Sequence, residues 1–193
     1  MAGDSGTKIV RSTLELLRTR GPAGVTVESV AAHSGVARTT IYRRYRNRNE
    51  MLSAALLEVA VVEPPDADLS AEARLRWVVR HAASMVVDGI GFGGMAALLT
   101  DSDPEFGVLF RQVLARHRSE LREVLDAGKR NGQFASSMEP EVLVDGIVGA
   151  LVAERARTGG VADDWEDRTV TAFAPMAFAA DGDRRGRAPG KRE

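Results

Sequence analysis

Apolar residues recur at helical spacing along nearly the whole of this 193-residue chain, and that periodicity restricts its fold more than any other feature. No long stretch alternates apolar and polar residues as a half-buried strand does, and most glycines and prolines stand between the periodic segments. The sequence therefore predicts an all-α protein. Helices are expected at about residues 7–20, 27–34, 38–45, 48–62, 70–87, 104–130, 140–157 and 164–180, and the fourth begins at a predicted capping box over residues 47–50.

The distribution of charge divides the chain. Residues 1–62 carry nine Lys or Arg and five Asp or Glu, residues 63–180 carry 12 and 19, and residues 181–193 carry five and three. The first segment is therefore basic and the second acidic, and Pro64-Pro65 stands where they meet, which predicts a domain boundary there. We expect one domain over 1–62, a second over 63–180 and a disordered tail over 181–193.

The composition excludes several classes of protein. Because the chain has no cysteine, it can form neither disulfides nor zinc–thiolate sites and has no thiol nucleophile. No apolar run approaches the roughly 18 residues of a membrane span, and the first residues lack the apolar segment of an export signal. The expectation is a cytoplasmic protein that does not enter a membrane.

Five arginines fall within the eleven residues from Arg38 to Arg48, with no acidic residue among them. They lie in and after a segment, residues 26–45, that reads as two short helices joined at Gly35. A glycine can take the positive φ of such a turn, and Ile41 supplies an apolar contact that fixes the second helix. The spacing predicts a helix-turn-helix within an N-terminal three-helix DNA-binding domain.

The second of these helices presents a polar face. With Ile41 as the inward direction and about 100° per residue, Thr39 and Arg43 point nearly the opposite way, flanked by Thr40 and Tyr42. This face suits a recognition helix in the DNA major groove, with Arg43 as the natural reader of guanine. The alternative, a merely solvated helix face, is less favoured because a helix-turn-helix surrounds it.

Further cations suit the DNA backbone. Arg48 stands at the start of the fourth helix, where its guanidinium and the free N–H groups could bind one phosphate, and Arg44 and Arg46 add attraction that is independent of sequence. The predicted DNA-contacting residues are Thr26, Arg38, Thr39, Thr40, Tyr42, Arg43, Arg44 and Arg48.

This part of the chain strongly resembles the TetR family of bacterial transcriptional regulators. The resemblance implies a homodimer that binds a palindromic operator in double-stranded DNA, and release by a small effector. It also implies phosphate contacts by Tyr42 and Arg48, and a recognition helix over residues 37–43. The residues that carry it are Ile9, Leu16-Leu17, Gly21, Val25-Thr26-Val27, Val30-Ala31, Ser34-Gly35-Val36, Ile41-Tyr42, Tyr45 and Arg48-Asn49-Glu50-Met51-Leu52.

The C-terminal helices are expected to form a ligand-binding and dimerisation domain. Members of the family use the corresponding helices to enclose an effector, so a mostly apolar small molecule is the expected ligand. A plain apolar core is an equally good interpretation of each residue taken singly. The candidate ligand-binding residues are Trp77, His81, Met85, Met95, Leu99, Phe106, Phe110 and Val113.

The segment from residue 140 to 158 is apolar nearly all round, so it needs cover on two sides. Together with the last helix it is expected to form half of a four-helix dimer interface. The candidate interface residues are Ile147, Val148, Leu151, Val170 and Phe173.

Other sites are disfavoured by context. Gly89, Gly91 and Gly94 match a dinucleotide-binding spacing, but no strand precedes them, and a loop between two helices is the preferred interpretation. The three histidines lack a metal-ligand spacing, so no metal, cofactor or catalytic group is expected. The rival hypotheses are a regulator whose second domain only dimerises, and an acidic interaction protein or enzyme with a vestigial helix-turn-helix.

Overall fold

The predicted all-α class is confirmed. The computed structural model describes residues 2–61, 63–66 and 68–178, and within these ranges the regular structure is helical throughout. Two short departures from α-geometry occur, a 3₁₀ turn at Pro22–Gly24 and a π-helical turn at Met85–Ile90. The α-helices are α1 Ala2–Arg20, α2 Val27–Ser34, α3 Arg38–Arg44, α4 Arg48–Ala60, α5 Ala71–Ser84, α6 Gly91–Thr100, α7 Pro104–Arg130, α8 Pro140–Thr158 and α9 Trp165–Ala177.

Helix α1 begins five residues earlier than predicted, because a tertiary contact overrides the poor helix propensity of its glycines. At Gly6, a Cβ atom would lie 2.6 Å from the guanidinium carbon of Arg44, so a side chain there would make the arginine shift from its place across the helix. Farther along, Ile9, Leu16 and Leu17 are buried as the apolar stripe requires.

The segment expected to be a loop around Gly89, Gly91 and Gly94 is helical, so that prediction was wrong. Its glycines serve close packing, since a Cβ atom on Gly91 would lie 2.6 Å from the Arg18 Cα atom. Gly91 also has a φ of 66°, which a residue with a side chain rarely adopts. A Cβ atom on Gly93 would come within 3.3 Å of Gly21. The glycines therefore bring α6 against the C-terminal end of α1.

The described chain separates into two compact units, which are not contiguous in sequence. The first comprises Met1–Glu63 and Ala83–Glu120, and the second comprises Pro64–Ala82 and Leu121–Glu193. One break lies beside the predicted boundary at Pro64, but α6 and the first half of α7 belong with the N-terminal helices. The reason is a common core in which Met85, Ile90, Phe106, Phe110 and Val113 pack with α1–α4.

The second unit is built on the antiparallel pair α8 and α9. Gly146 makes room for the ring of Phe173, because a Cβ atom there would lie 2.7 Å from Cε1 of that ring. Glu154 is buried and accepts two hydrogen bonds from Arg168, at 3.0 and 2.9 Å, and one from the Ala162 N–H at 3.0 Å. These contacts fix the turn between the two helices.

Helix α9 tolerates Pro175 because the proline lies in the last turn, two residues before the helix ends. The helix ends at Ala177 and Phe178 is extended, so the predicted continuation toward residue 180 was wrong. The predicted disordered tail, residues 181–193, lies outside the described residues. One segment, Ala71–Thr100, is long and apolar enough to cross a membrane by length and composition alone, contrary to the expectation that no apolar run is long enough. Half of its most apolar window is buried in the protein, as in the core helix of a globular fold.

Candidate nucleic-acid interface

Helix α2 begins at a complete capping box. The Thr26 hydroxyl accepts a hydrogen bond from the Ser29 N–H at 3.0 Å, and the Thr26 N–H donates to the Ser29 hydroxyl at 2.9 Å. Thr26 is therefore the N-cap of α2, and such a cap contributes about 1 kcal/mol to stability. Thr26 was also predicted to contact DNA; its side chain is exposed, but its hydroxyl already serves the cap.

The turn between α2 and α3 depends on Gly35, which has a φ of 69° and whose N–H donates to the Ala31 carbonyl at 3.1 Å. Ile41 is fully buried and anchors α3 to the core, with Tyr45 buried just after the helix. Ala37 gives α3 no side-chain cap. Tertiary contacts therefore hold this short helix in place.

The opposite side of α3 faces outward, as its spacing predicted. Arg38, Thr39, Tyr42 and Arg43 are exposed, with Tyr42 keeping 53% of its surface accessible, whereas Thr40 is half-buried. A helix held from one side by Ile41 and carrying hydroxyl and guanidinium groups on the other can offer donors and acceptors to the edges of bases.

The arginines on and beside this face are not neutralised. Within the part of the chain that the structure describes, Arg38, Arg43 and Arg44 form no ion pair with a carboxylate. Arg46 does, since its Nε lies 3.2 Å from the Glu50 carboxylate in an exposed pair. Three guanidinium groups on one short helix, α3, that form no ion pair within the described residues create a positive electrostatic surface for a polyanion.

Arg48 is placed differently from the other predicted contacts. Its Nε donates to the Val25 carbonyl at 2.8 Å, and its Nη2 donates to the Pro22 carbonyl and, at 2.7 Å, to the Asp103 carboxylate. Helix α4 itself is capped by Asn47, whose side chain accepts from the Glu50 N–H at 2.9 Å. In this structure the Arg48 guanidinium is thus bound within the protein.

The partner of Arg48 is the N-cap of α7. One oxygen of Asp103 accepts from the Phe106 N–H at 3.0 Å, which confirms the predicted start of this helix. Burial alone would raise the pKa of the Asp103 carboxyl, but the hydrogen bond from Phe106 and the charge and hydrogen bond of Arg48 together bring the pKa below its usual value.

The candidate effector residues divide between the two units. Met85, Phe106, Phe110 and Val113 are buried in the core of the first unit, and Met95 packs against it, whereas Leu99 on α6 is exposed. Trp77 and His81 lie in the second unit, where their rings stack with centroids 4.0 Å apart. Core packing is thus what the structure displays for five of these residues, and the effector site stays a prediction.

The candidate dimer residues are used mainly inside the chain. Ile147, Leu151 and Val170 are buried in the second unit, while Val148 and Phe173 are half-buried. The side of α8 that is exposed carries Val142, Gly149 and Ala153 instead.

No group of three or more His, Asp or Glu side chains within residues 2–61, 63–66 and 68–178 could hold a metal ion.

Comparison with known proteins decides the family. The model described as bacterial regulatory proteins, tetR family, matches residues 9–55, and that of the tetracyclin repressor-like C-terminal domain matches residues 64–173. The chain belongs to the TetR family. It is therefore a DNA-binding transcriptional regulator and not an enzyme, and the helix-turn-helix described above is the TetR-family DNA-binding motif.

Individual relatives agree with this assignment. The chain is 24% identical over 186 residues to the HTH-type transcriptional regulator YdeS of Bacillus subtilis (strain 168), covering 91% of this chain and 89% of that protein. A TetR-family regulator from Rhodococcus sp. shares the fold with a TM-score of 0.71 at 16% identity, covering 91% of this chain and 99% of that one. The regulator FadR from Bacillus subtilis, solved with stearoyl-CoA, does so with a TM-score of 0.63 at 16% identity, covering 89% and 99%.

Sequence reasoning missed the intramolecular position of Arg48 in this TetR-family chain. The signals were present, since Asp103-Pro104 announces a helix start and therefore a well-placed carboxylate. Nothing in the local sequence, however, relates that carboxylate to a residue 55 positions earlier. Only the packing of α7 onto the N-terminal helices brings them together.

Proposed function

We propose that this regulator is a cytoplasmic, homodimeric repressor that binds a palindromic operator through α3 and leaves it when a small, mostly apolar effector binds. The observation that carries the proposal is the exposed face of α3, with its free arginines, on a helix fixed from behind by Ile41. A rigid helix with free cationic and hydroxyl groups is what reading of the major groove requires.

The α3 side chains divide into two roles. Arg43, at the centre of the exposed face, pairs with a guanine, and Thr39 and Thr40 contact neighbouring base edges. Arg38, Tyr42 and Arg44 bind phosphates and set the position of the helix on the duplex. A bidentate arginine–guanine contact is worth about 1–3 kcal/mol of discrimination against a wrong base.

The dimer is proposed to form through the exposed sides of α8 and α9. Val142, Gly149 and Ala153 recur at seven and four residues, which places them along one face of α8. On α9, Ala172 and Met176 are exposed one turn apart. Small and apolar residues on two adjacent helices allow two copies to pack as a four-helix bundle, and a twofold dimer binds a palindrome because each copy reads one half-site.

The effector is supported by the family of the C-terminal domain, which matches over residues 64–173, and by the ligand of a structural relative. FadR from Bacillus subtilis binds stearoyl-CoA. Trp77 and His81 are the candidate contacts in the second unit, where they are stacked on each other and half-buried, so part of each ring is open to a ligand.

Selection of bound duplexes from a random pool by the purified protein tests the DNA-binding part. The wild type is expected to enrich a palindrome, and Arg43→Ala is expected to lose the enrichment. The matched control is Arg122→Ala, which removes an arginine that is paired with Glu141 and should enrich the same palindrome as the wild type. A consensus without twofold symmetry would contradict the palindromic operator.

Two further measurements test the remaining parts. Sedimentation should give a dimer for the wild type and a monomer for Gly149→Arg, because a long charged side chain cannot enter a close helix contact; a dimeric variant would contradict this interface.

For the effector, stearoyl-CoA and shorter acyl compounds are added to the protein–operator complex. Release of the duplex, lost in Trp77→Ala, is the expected result, and persistence of the complex with every compound would contradict an apolar effector.

A further inference from the structure

Arg48 occupies the junction of three segments of the first unit. It stands at the start of α4, it donates to the carbonyls of Pro22 and Val25 between α1 and α2, and it forms an ion pair with Asp103 before α7. Only 26% of its side chain is exposed. The Arg48 side chain thus connects the helix-turn-helix with α7, which begins more than 50 residues later in the sequence.

Asp103 is as fully engaged as its partner. One oxygen holds Arg48 while the other caps α7 through the Phe106 N–H, and 17% of the side chain is exposed. Phe106 itself is fully buried in the core that also contains Ile41 of α3. The ion pair and this core are therefore two independent connections between α7 and the DNA-reading helices.

A neighbouring pair has different chemistry and serves as an internal comparison. The Asn49 amide donates to the Glu105 carboxylate at 3.0 Å, also between α4 and α7, in an exposed contact. Glu105 caps no helix through a described hydrogen bond, and it has no cationic partner in the described chain. Its loss should therefore matter much less.

From this geometry we infer that Arg48 is a positioning residue rather than a phosphate contact. Its ion pair with Asp103 and its hydrogen bonds to Pro22 and Val25 hold the helix-turn-helix against α7 in the arrangement that binds the operator. The inference rests on the proposed operator binding and assigns a residue that sets its strength.

The two roles predict opposite effects of a change at Asp103. If Arg48 bound a phosphate, neutralising the adjacent carboxylate would release the arginine and remove a negative charge beside the DNA, so binding would strengthen. If Arg48 positions the motif, the same change would loosen the motif and weaken binding. A phosphate contact also contributes about one unit to the salt dependence of binding, which a positioning residue does not.

The experiment measures the operator dissociation constant against salt concentration for the full-length wild type, Arg48→Gln, Arg48→Lys, Asp103→Asn and the Arg48→Gln/Asp103→Asn double variant. The duplex is the one selected by the wild type. Asp103→Asn and Arg48→Gln are each expected to weaken binding about 10-fold with an unchanged salt slope, and the double variant is expected to be no weaker than either. Glu105→Gln, the matched control, should bind within about twofold of the wild type.

The lysine variant separates charge from geometry. A single ammonium cannot span two carbonyls and a carboxylate as the planar guanidinium does, so Arg48→Lys should stay as weak as Arg48→Gln. Recovery of wild-type affinity by lysine, tighter binding by Asp103→Asn, or a salt slope lower by about one in Arg48→Gln would each overturn the inference.

Thermal unfolding of the same variants excludes a trivial cause. Each is expected to unfold well above the temperature of the binding assay, and the double variant should show coupling between the two positions. Variants that lose thermal stability but keep wild-type affinity would reduce the pair to a folding role and refute positioning. Failure of the wild type to select any duplex would refute the proposed function instead, so the two failures are distinguishable.

Discussion

Arginines on α3 and arginines in the second unit differ in whether a carboxylate lies beside them. Arg38, Arg43 and Arg44 meet no carboxylate within the described chain. In the second unit, by contrast, Arg80 pairs with Glu166 at 2.9 Å and Arg168 pairs with Glu154 at 2.9 Å. The charges of the α3 arginines are therefore available to another molecule, whereas Arg80 and Arg168 form ion pairs that connect helices of the second unit.

The difference shows that the number of arginines is a poor guide to a nucleic-acid surface. The chain as a whole has a net charge of −1, yet it carries a local cationic surface because α3 contains three arginines and no acidic residue. Arg48 combines the two cases. In the sequence it lies within the arginine-rich segment. Like Arg80 and Arg168 of the second unit, however, it forms an ion pair inside the protein, with Asp103.

Placing a carboxylate on α3 should give its arginines the kind of partner that those of the second unit have. Of the changes considered, it should lower operator affinity the most. In Thr39→Glu the new side chain lies one turn before Arg43, the spacing that favours a Glu–Arg pair, and it adds negative charge to the face that meets DNA. Operator affinity should fall by more than about 100-fold, since a base contact worth about 1–3 kcal/mol is lost and phosphate repulsion is gained. Filter binding measures this, and Thr39→Gln, of the same size without charge, should bind far more tightly.

Acid should reveal the pairing of Asp103. Because the folded-state pKa of its carboxyl lies below the usual value of about 3.9, the stabilisation it provides is complete above about pH 4 and is lost as pH falls through the folded pKa. Urea unfolding should find wild type more stable than Asp103→Asn by about 1–2 kcal/mol at pH 7.

That difference should close as the pH falls through the folded-state pKa of Asp103, because below that pKa the carboxyl is protonated in both the folded and the unfolded protein. Glu105→Gln, in the first turn of α7, provides the control for general acid effects. A difference between the wild type and Asp103→Asn that did not shrink at all on acidification would show that the Asp103 charge is not what stabilises the protein.

Arg44→Ala should weaken binding to all duplexes alike. Its guanidinium crosses α1 at Gly6 and has no carboxylate partner, so its loss removes a phosphate contact without changing a base contact. Affinity should fall several-fold at low salt, and the slope of log K against log salt should decrease by about one. A changed base preference would instead place Arg44 in the groove.

Freeing an arginine in the second unit should have the smallest effect. Glu166→Gln removes the charge that Arg76 and Arg80 share, and an exposed pair of this kind contributes at most about 1 kcal/mol to the free energy of unfolding. Operator affinity should stay the same, because these arginines lie away from α3 in sequence and belong to the other unit. A gain in operator affinity would mean that the second unit also contacts the duplex.

The helix-turn-helix could be predicted residue by residue because its signals are local. Thr26 caps α2, Gly35 makes the turn and Ile41 faces inward, each within a few residues of the feature it determines. Helix α6 could not be predicted in this way. Its glycines suggested a loop, and only the approach of Arg18 on α1 explains why Gly91 is needed there.

The second unit shows the same limit in another form. The apolar circumference of α8 predicted cover on two sides, but the sequence could not show which side meets the protein's own helices, and Ile147 and Leu151 were chosen as dimer contacts. Both side chains are buried by the protein's own helices. Which apolar face of a helix meets its own chain depends on packing, which periodicity alone does not determine.

The π-helical turn at Met85–Ile90 makes the length of this segment as important as its composition. A π turn holds more residues than an α turn, so deleting one residue here would shorten the count from α5 and move Phe92 into the position that Gly91 holds. Gly91 would then no longer face the backbone of Arg18, and a residue with a side chain would. Point substitutions at the exposed Val87 should be tolerated, whereas insertions and deletions beside it should not, so relatives of this protein that share the contact are expected to keep the spacing between Met85 and Gly91 fixed.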